Sequence, residues 1–146
     1  MTTGLIHLHS LLAYLVLLIL IIAVVNAIVG LIGKRTFADR DLRISLFALI
    51  LSHIQLLIGI VVFFISPLVH WFQKNSDVSQ IMGDSDLRLY NLEHPLMMII
   101  GIILITIGFS KHKKAGSSSK KFRTILIFYG IGLILILSRI PWDAWF

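Results

Sequence analysis

The sequence contains no cysteine, which excludes disulfides, thiolate metal sites and haem attached covalently through a C-x-x-C-H motif. Any cofactor must be held by other side chains. Charge is also scarce: only 14% of the 146 residues are Asp, Glu, Lys or Arg, against 58% hydrophobic. A soluble domain of this length would need a charged surface around its core. This balance, with a mean hydropathy of +0.95, belongs to a chain whose main solvent is lipid. Acids are few and none falls in the middle of a long apolar run, and no Pro-Gly pair interrupts such a run. Both absences argue against a proton or sodium transporter built on broken helices. The N-terminal tail has no charged side chain, so the first apolar run has no basic segment before it. That run is also too long for a signal-peptide core and is read as a retained helix.

What the chain does have is four apolar segments: Leu5 to Ile32, Ile44 to Val69, Glu93 to Ser110 and Arg123 to Ile140. Each reaches the ~20 residues needed to cross a bilayer core of ~30 Å. Each should do so as a helix, because an open strand would leave its backbone groups unpaired in lipid. The expected fold is therefore all-α, an integral-membrane, four-helix up-and-down bundle forming a single domain. Ten of the thirteen basic residues lie in two connections, Gly33 to Arg43 and Lys111 to Arg123. By the positive-inside rule these face the cytoplasm, which puts both termini outside; in a bacterial inner membrane they would be periplasmic. Trp71, Phe72, Tyr90, Trp142, Trp145 and Phe146 then gather at the outer interface, where amphipathic rings prefer to sit. The net charge of +6 reports topology and contact with anionic lipid, not nucleic acid. The stretch Lys111 to Lys121 reads as a flexible solvated turn, and the outer loop from His70 to Asn91 as a disordered connector in preference to a partner-binding lid.

Polar side chains inside a membrane are costly, so the few present are the functional candidates: His7, His9, Asn26, His53, Gln55, Glu93, His94 and Arg139. Helices one and three run in the same direction, which puts His7, His9 and His94 at one depth near the outer surface. Two residues of helix separate His7 from His9 by about 200°, so only one of them faces the bundle axis. Ala13 lies one turn below His9 and Leu11 below His7, and the smaller neighbour favours His9. His94 is followed at heptad spacing by Gly101 and Gly108. These glycines either let helices pack closely or open a slot for haem b, with His9 and His94 as neutral axial ligands. Arg139 would lie level with the histidines, as a partner for a haem propionate or as a snorkelling interface residue. Glu93 reads either as a group that orients His94 through a neighbour or as an ordinary helix-start acid. A zinc site from His7, His9, His94 and Glu93 would require the first turn to unwind.

His53 lies deeper. With Gln55 nearby it is a candidate for the inner edge of a macrocycle, a quinone head group, a second cofactor or a proton. The plainer reading is a hydrogen bond to a neighbouring helix; Asn26 reads either as its partner or as simple helix-to-helix glue. His70 and His112 read as solvated.

Leu8-His9-Ser10, Ser52-His53-Ile54-Gln55-Leu56-Leu57-Ile58-Gly59 and Glu93-His94-Pro95-Leu96-Met97-Met98 together resemble small bacterial membrane proteins of cytochrome b-like type. More distantly they resemble one half of heme A synthase. The resemblance implies a four-helix bundle with His9 and His94 in the ligand positions and Gln55 to Gly59 on the intervening helix. It also implies electron transfer, or a small subunit of a respiratory membrane complex with other subunits as partners. The chain is half the size of heme A synthase and lacks its acidic-aromatic-histidine-arginine pattern, so haem oxygenation is not implied and no catalytic residue is assigned. The opposing classes are a cofactor-free structural or assembly subunit and a proton-conducting component.

Overall fold

A computed structural model describes residues 2–144. Among these the chain is helical, with no strand: α1 (Thr2–Ile32), α2 (Asp39–Ile65), α3 (Val78–Gly83), α4 (Ser85–Arg88), a π-helical turn (Leu89–Glu93), α5 (His94–Lys113), α6 (Ser118–Ser138) and a closing 3-10 turn (Trp142–Ala144). Four stretches are long and apolar enough to cross a membrane: Thr3–Ile32, Asp39–Ile65, Ser85–Lys113 and Ser118–Ser138. α1 packs on α2, α2 on α5, α5 on α6, and α6 closes the ring against α1. The start of α1 and the end of α6 share one end of the bundle, called here the terminal end. The two lysine- and arginine-rich turns share the other, the basic end. Large apolar side chains such as Leu11, Leu18, Phe47, Leu57, Ile103 and Ile134 point outward, as lipid contact requires. The chain is a multi-pass membrane protein by this architecture.

The helix limits differ from the apolar runs for identifiable reasons. α2 begins five residues before Ile44, because the Asp41 carboxylate accepts the Ala38 N–H at 2.8 Å and holds the first turn. It stops at Ile65 rather than Val69 because Pro67 disfavours helical geometry in the residue before it, and Ser66 is extended. α6 starts at Ser118, ahead of Arg123, because the Ser117 hydroxyl accepts the Lys120 N–H. The third span extends past Ser110 to Lys113. The loop read as a connector is ordered: Asp77 and Asp84 cap the short helices α3 and α4 with their carboxylates.

Two turns set the register of the bundle. At the end of α1, Lys34 adopts a left-handed conformation (φ 48°). Arg35 N–H then reaches back to the Gly30 carbonyl and Lys34 N–H to that of Leu31, a Schellman closure that reverses the chain. The reversal returns Arg35 to α1, where its guanidinium bonds Asn26 at 3.0 Å and the fully buried Asp41 at 2.9 Å. Asn26 donates to the same carboxylate. The partner of Asn26 is therefore the α2 start, not His53. At the start of α5, Pro95 has no N–H to offer the carbonyl of Asn91, four residues earlier. The Trp71 indole donates to that carbonyl instead, at 2.7 Å. The buried Asn91 side chain accepts from His70 N–H and donates to the carbonyls of Leu68 and Leu87. Asn91 thus fastens the loop to the bundle just before His94.

The core is densest toward the basic end, where Leu20, Ile105, Phe122, Ile125 and Tyr129 are almost fully buried. Tyr129 spans the bundle to give its hydroxyl proton to the Ser45 carbonyl at 2.8 Å. His112, expected to be solvated, is buried there at 1% exposure against Phe37 and Phe109.

Candidate functional site

Four elements converge at the terminal end. α1 carries His9, α2 carries Gln55 and Gly59, α5 opens with His94, and Arg139 caps the end of α6. His9 and His94 meet across the bundle diagonal, with ring centres 6.4 Å apart and planes at 84°. The shared depth expected from parallel helices becomes, in three dimensions, a close, edge-on pair of imidazoles.

Each ring is positioned from behind. His94 Nδ1 lies 2.8 Å from the Arg139 carbonyl, which can only accept, so the proton sits on Nδ1 and Nε2 keeps its lone pair. Glu93, one residue earlier, bridges Arg88 at 2.8 Å and Arg139 at 3.1 Å. It therefore clamps the α6 end that presents this carbonyl. His94 is oriented by a backbone oxygen, and Glu93 acts one step further back by fixing Arg139. On α2, the Gln55 amide donates to the His9 carbonyl at 2.9 Å. Gly59 makes room for the His9 ring, since a Cβ there would lie 3.1 Å from His9 Cε1.

Among the described residues, two buried polar atoms remain without a hydrogen-bond partner: His9 Nδ1 and Gln55 Oε1. One can donate and the other accepts. Unpartnered polar groups in an apolar interior are costly, so the pair marks this place as the part of the bundle whose polar demands the chain leaves open.

The other sequence candidates lie elsewhere. His7 is exposed on the far side of α1. Gly101 faces α6: a Cβ there would lie 3.2 Å from the Gly132 carbonyl and 3.0 Å from Ile136. Gly108 likewise faces Phe128. Both glycines serve the close approach of α5 and α6 and open no slot toward the histidines. His53 lies on the lipid-facing side of α2, with Nδ1 on the Leu49 carbonyl at 2.8 Å and Nε2 3.4 Å from Thr106 Oγ1. Arg139 is engaged by Glu93 and by the Ser138 carbonyl. Among the described residues no three His, Cys, Asp or Glu side chains gather as a metal-binding group, so the four-residue zinc set does not assemble. Trp145 and Phe146, expected at the interface, lie outside the described residues.

Asn91, Asp41 and Arg35 carried no functional reading in the sequence, and Trp71 read only as an interface aromatic. Pro95 was the available signal for Asn91 and Trp71, because a proline in a helix start frees a carbonyl that some donor must satisfy. In comparisons with protein families, curated proteins and solved structures, nothing matches this chain.

Proposed function

We propose that the protein binds one b-type haem at the terminal end, between His9 and His94, and works in electron transfer or as a small subunit of a respiratory membrane complex. The observation that carries this reading is the close, edge-on imidazole pair, with ring centres 6.4 Å apart. Two neutral imidazoles this close would each give one nitrogen to the iron of a shared haem.

The donor chemistry fits as well. His94, protonated on Nδ1 by its bond to Arg139, offers Nε2. A hydrogen bond from His9 Nδ1 to Gln55 Oε1 would satisfy both unpartnered atoms and would leave His9 its Nε2 lone pair. Such partners on the non-ligating nitrogen fix the tautomer and strengthen a ligand. When bound between two histidines, haem supplies a reversible one-electron centre. The rest is the work of the chain: Gln55 and Gly59 seat His9, the Glu93–Arg139 clamp holds the carbonyl behind His94, and Arg139 would be the partner for a propionate. The likeness of the His9, Gln55–Gly59 and His94-Pro95 segments to cytochrome b-like proteins points the same way.

The excess of lysine and arginine at the basic end supports a cytoplasmic location for that end and an outside one for the haem end, which in a bacterial inner membrane is the periplasm. His53 and Thr106, side by side at the bilayer face, offer a polar pair to a quinone head group arriving through lipid.

The test is a reduced-minus-oxidised spectrum of purified variants. His94→Ala should abolish the haem bands, and His70→Ala should leave them unchanged. Retention of haem in His94→Ala would overturn the ligand assignment.

A further inference from the structure

At the basic end the α1–α2 and α5–α6 turns lie side by side, joined by a hydrogen bond of 2.9 Å from Phe37 N–H to the Ser118 hydroxyl. Between them opens a cleft of about 280 Å³, walled by Phe37 and Leu42 on one strand of chain and His112, Lys113 and Lys121 on the others, with Asp39 the acid in its lining. Its charge is unbalanced, two lysines against one aspartate. Neither lysine forms an ion pair among the described residues. Their ammonium groups lie over aromatic faces instead: Lys121 at 5.5 Å from the Phe37 ring centre and Lys113 at 4.5 Å from that of Phe109. An aromatic face holds a cation without neutralising it. The cleft is also surrounded by charge of the same sign. Ten basic side chains lie in the two turns and their flanks against Asp39 and Asp41 alone, an excess of eight.

The position of the cleft selects among anions. It lies where three spans end, at the start of α2, the end of α5 and the start of α6, the depth of the lipid headgroups. One wall is aromatic and aliphatic. A soluble anion gains nothing from Phe37 and Leu42, whereas a phospholipid presents a phosphodiester and, directly below it, apolar ester and acyl carbons.

We propose that this cleft seats the headgroup of an anionic phospholipid from the leaflet at the basic end. Lys113 and Lys121 contact the phosphate, and Phe37 and Leu42 receive the apolar part below it. The site is independent of haem: it lies at the opposite end of the bundle and shares no residue with the His9–His94 pair.

The experiment is native mass spectrometry of the full-length protein in detergent, titrated with phosphatidylglycerol or with phosphatidylcholine. A cleft double variant, Lys113→Gln with Lys121→Gln, is compared with a control of equal charge loss, Lys114→Gln with Lys120→Gln, both positions being exposed outside the cleft. Wild type and control should retain phosphatidylglycerol. The cleft variant should lose affinity by roughly tenfold or more, as expected when two lysine contacts to an anionic headgroup disappear. Phosphatidylcholine should bind weakly to all three. Equal loss in the two doubles would overturn the proposal in favour of diffuse surface attraction. Displacement of the lipid by millimolar inorganic phosphate would overturn it in favour of a soluble anion. Should the cleft variant fail to fold, Lys113→Arg with Lys121→Arg decides the matter, since retention is expected and loss contradicts the site.

Discussion

The contact between α5 and α6 can be tested with two alanines placed two residues apart. Gly132 faces α5, where an added Cβ would lie 2.9 Å from the Gly101 carbonyl and 3.1 Å from Ile105, while a Cβ on Gly130 would meet nothing within 4 Å. Ordinary contact begins near 3.4 Å, so Gly132→Ala is about 0.5 Å too close to a backbone atom that no rotamer change can move. The helices must part by about that amount, which forfeits about a quarter of the dispersion energy of each contact along the seam. The cost of such overpacking is about 1–3 kcal/mol. Gly130→Ala collects only the helix-propensity gain, worth up to about 1 kcal/mol, and serves as the baseline. In thermal unfolding of detergent-solubilised protein, Gly132→Ala should melt about 3–9 °C below Gly130→Ala, taking about 3 °C per kcal/mol for a chain near this size. The strain lies two turns from the Arg139 carbonyl that holds His94, so the same variant should also weaken any ligand bound there. Equal melting temperatures for the two alanines would refute the close approach of α5 and α6 at Gly101 and Gly132.

Two further predictions follow from the basic end. Asp41→Ala removes the carboxylate that Arg35, Asn26 and Ala38 N–H share; it should destabilise by about 3–5 kcal/mol, as breaking a buried charged network does, and an unchanged melting temperature would contradict this. A periplasm-active reporter such as alkaline phosphatase fused after Phe146 should be active, and activity confined to a cytoplasm-active reporter would reverse the assignment of the two ends.

The span count and the meeting of His9 with His94 were legible in the sequence because both follow from periodic quantities: hydrophobic run length, and the rise per residue of helices running in parallel. Helix ends were less legible. Pro67 lay inside the expected second helix and ended it early, a signal present in the sequence and outweighed by apolar composition. Asp41 carried no reading in the sequence, yet it is fully buried and starts the helix. The support of His94 could not be read at all. Its acceptor is a backbone carbonyl, which every residue has, brought there by the far end of α6. The glycines of α5 had two readings from spacing alone, and only the partners across the seam, Gly132, Ile136 and Phe128, decide between packing and a slot. His112 shows the converse error. A histidine among lysines reads as solvated, but α5 turns it inward between two phenylalanines.

The central claim is that His9 and His94 hold one haem between them. The most direct measurement is the absorption and electron paramagnetic resonance spectrum of the oxidised protein purified from haem-replete cells. The protein should carry one haem per chain in a low-spin, six-coordinate state, lost from both His9→Ala and His94→Ala. Protein that carries no haem, or haem in a high-spin state unaffected by either substitution, would contradict it.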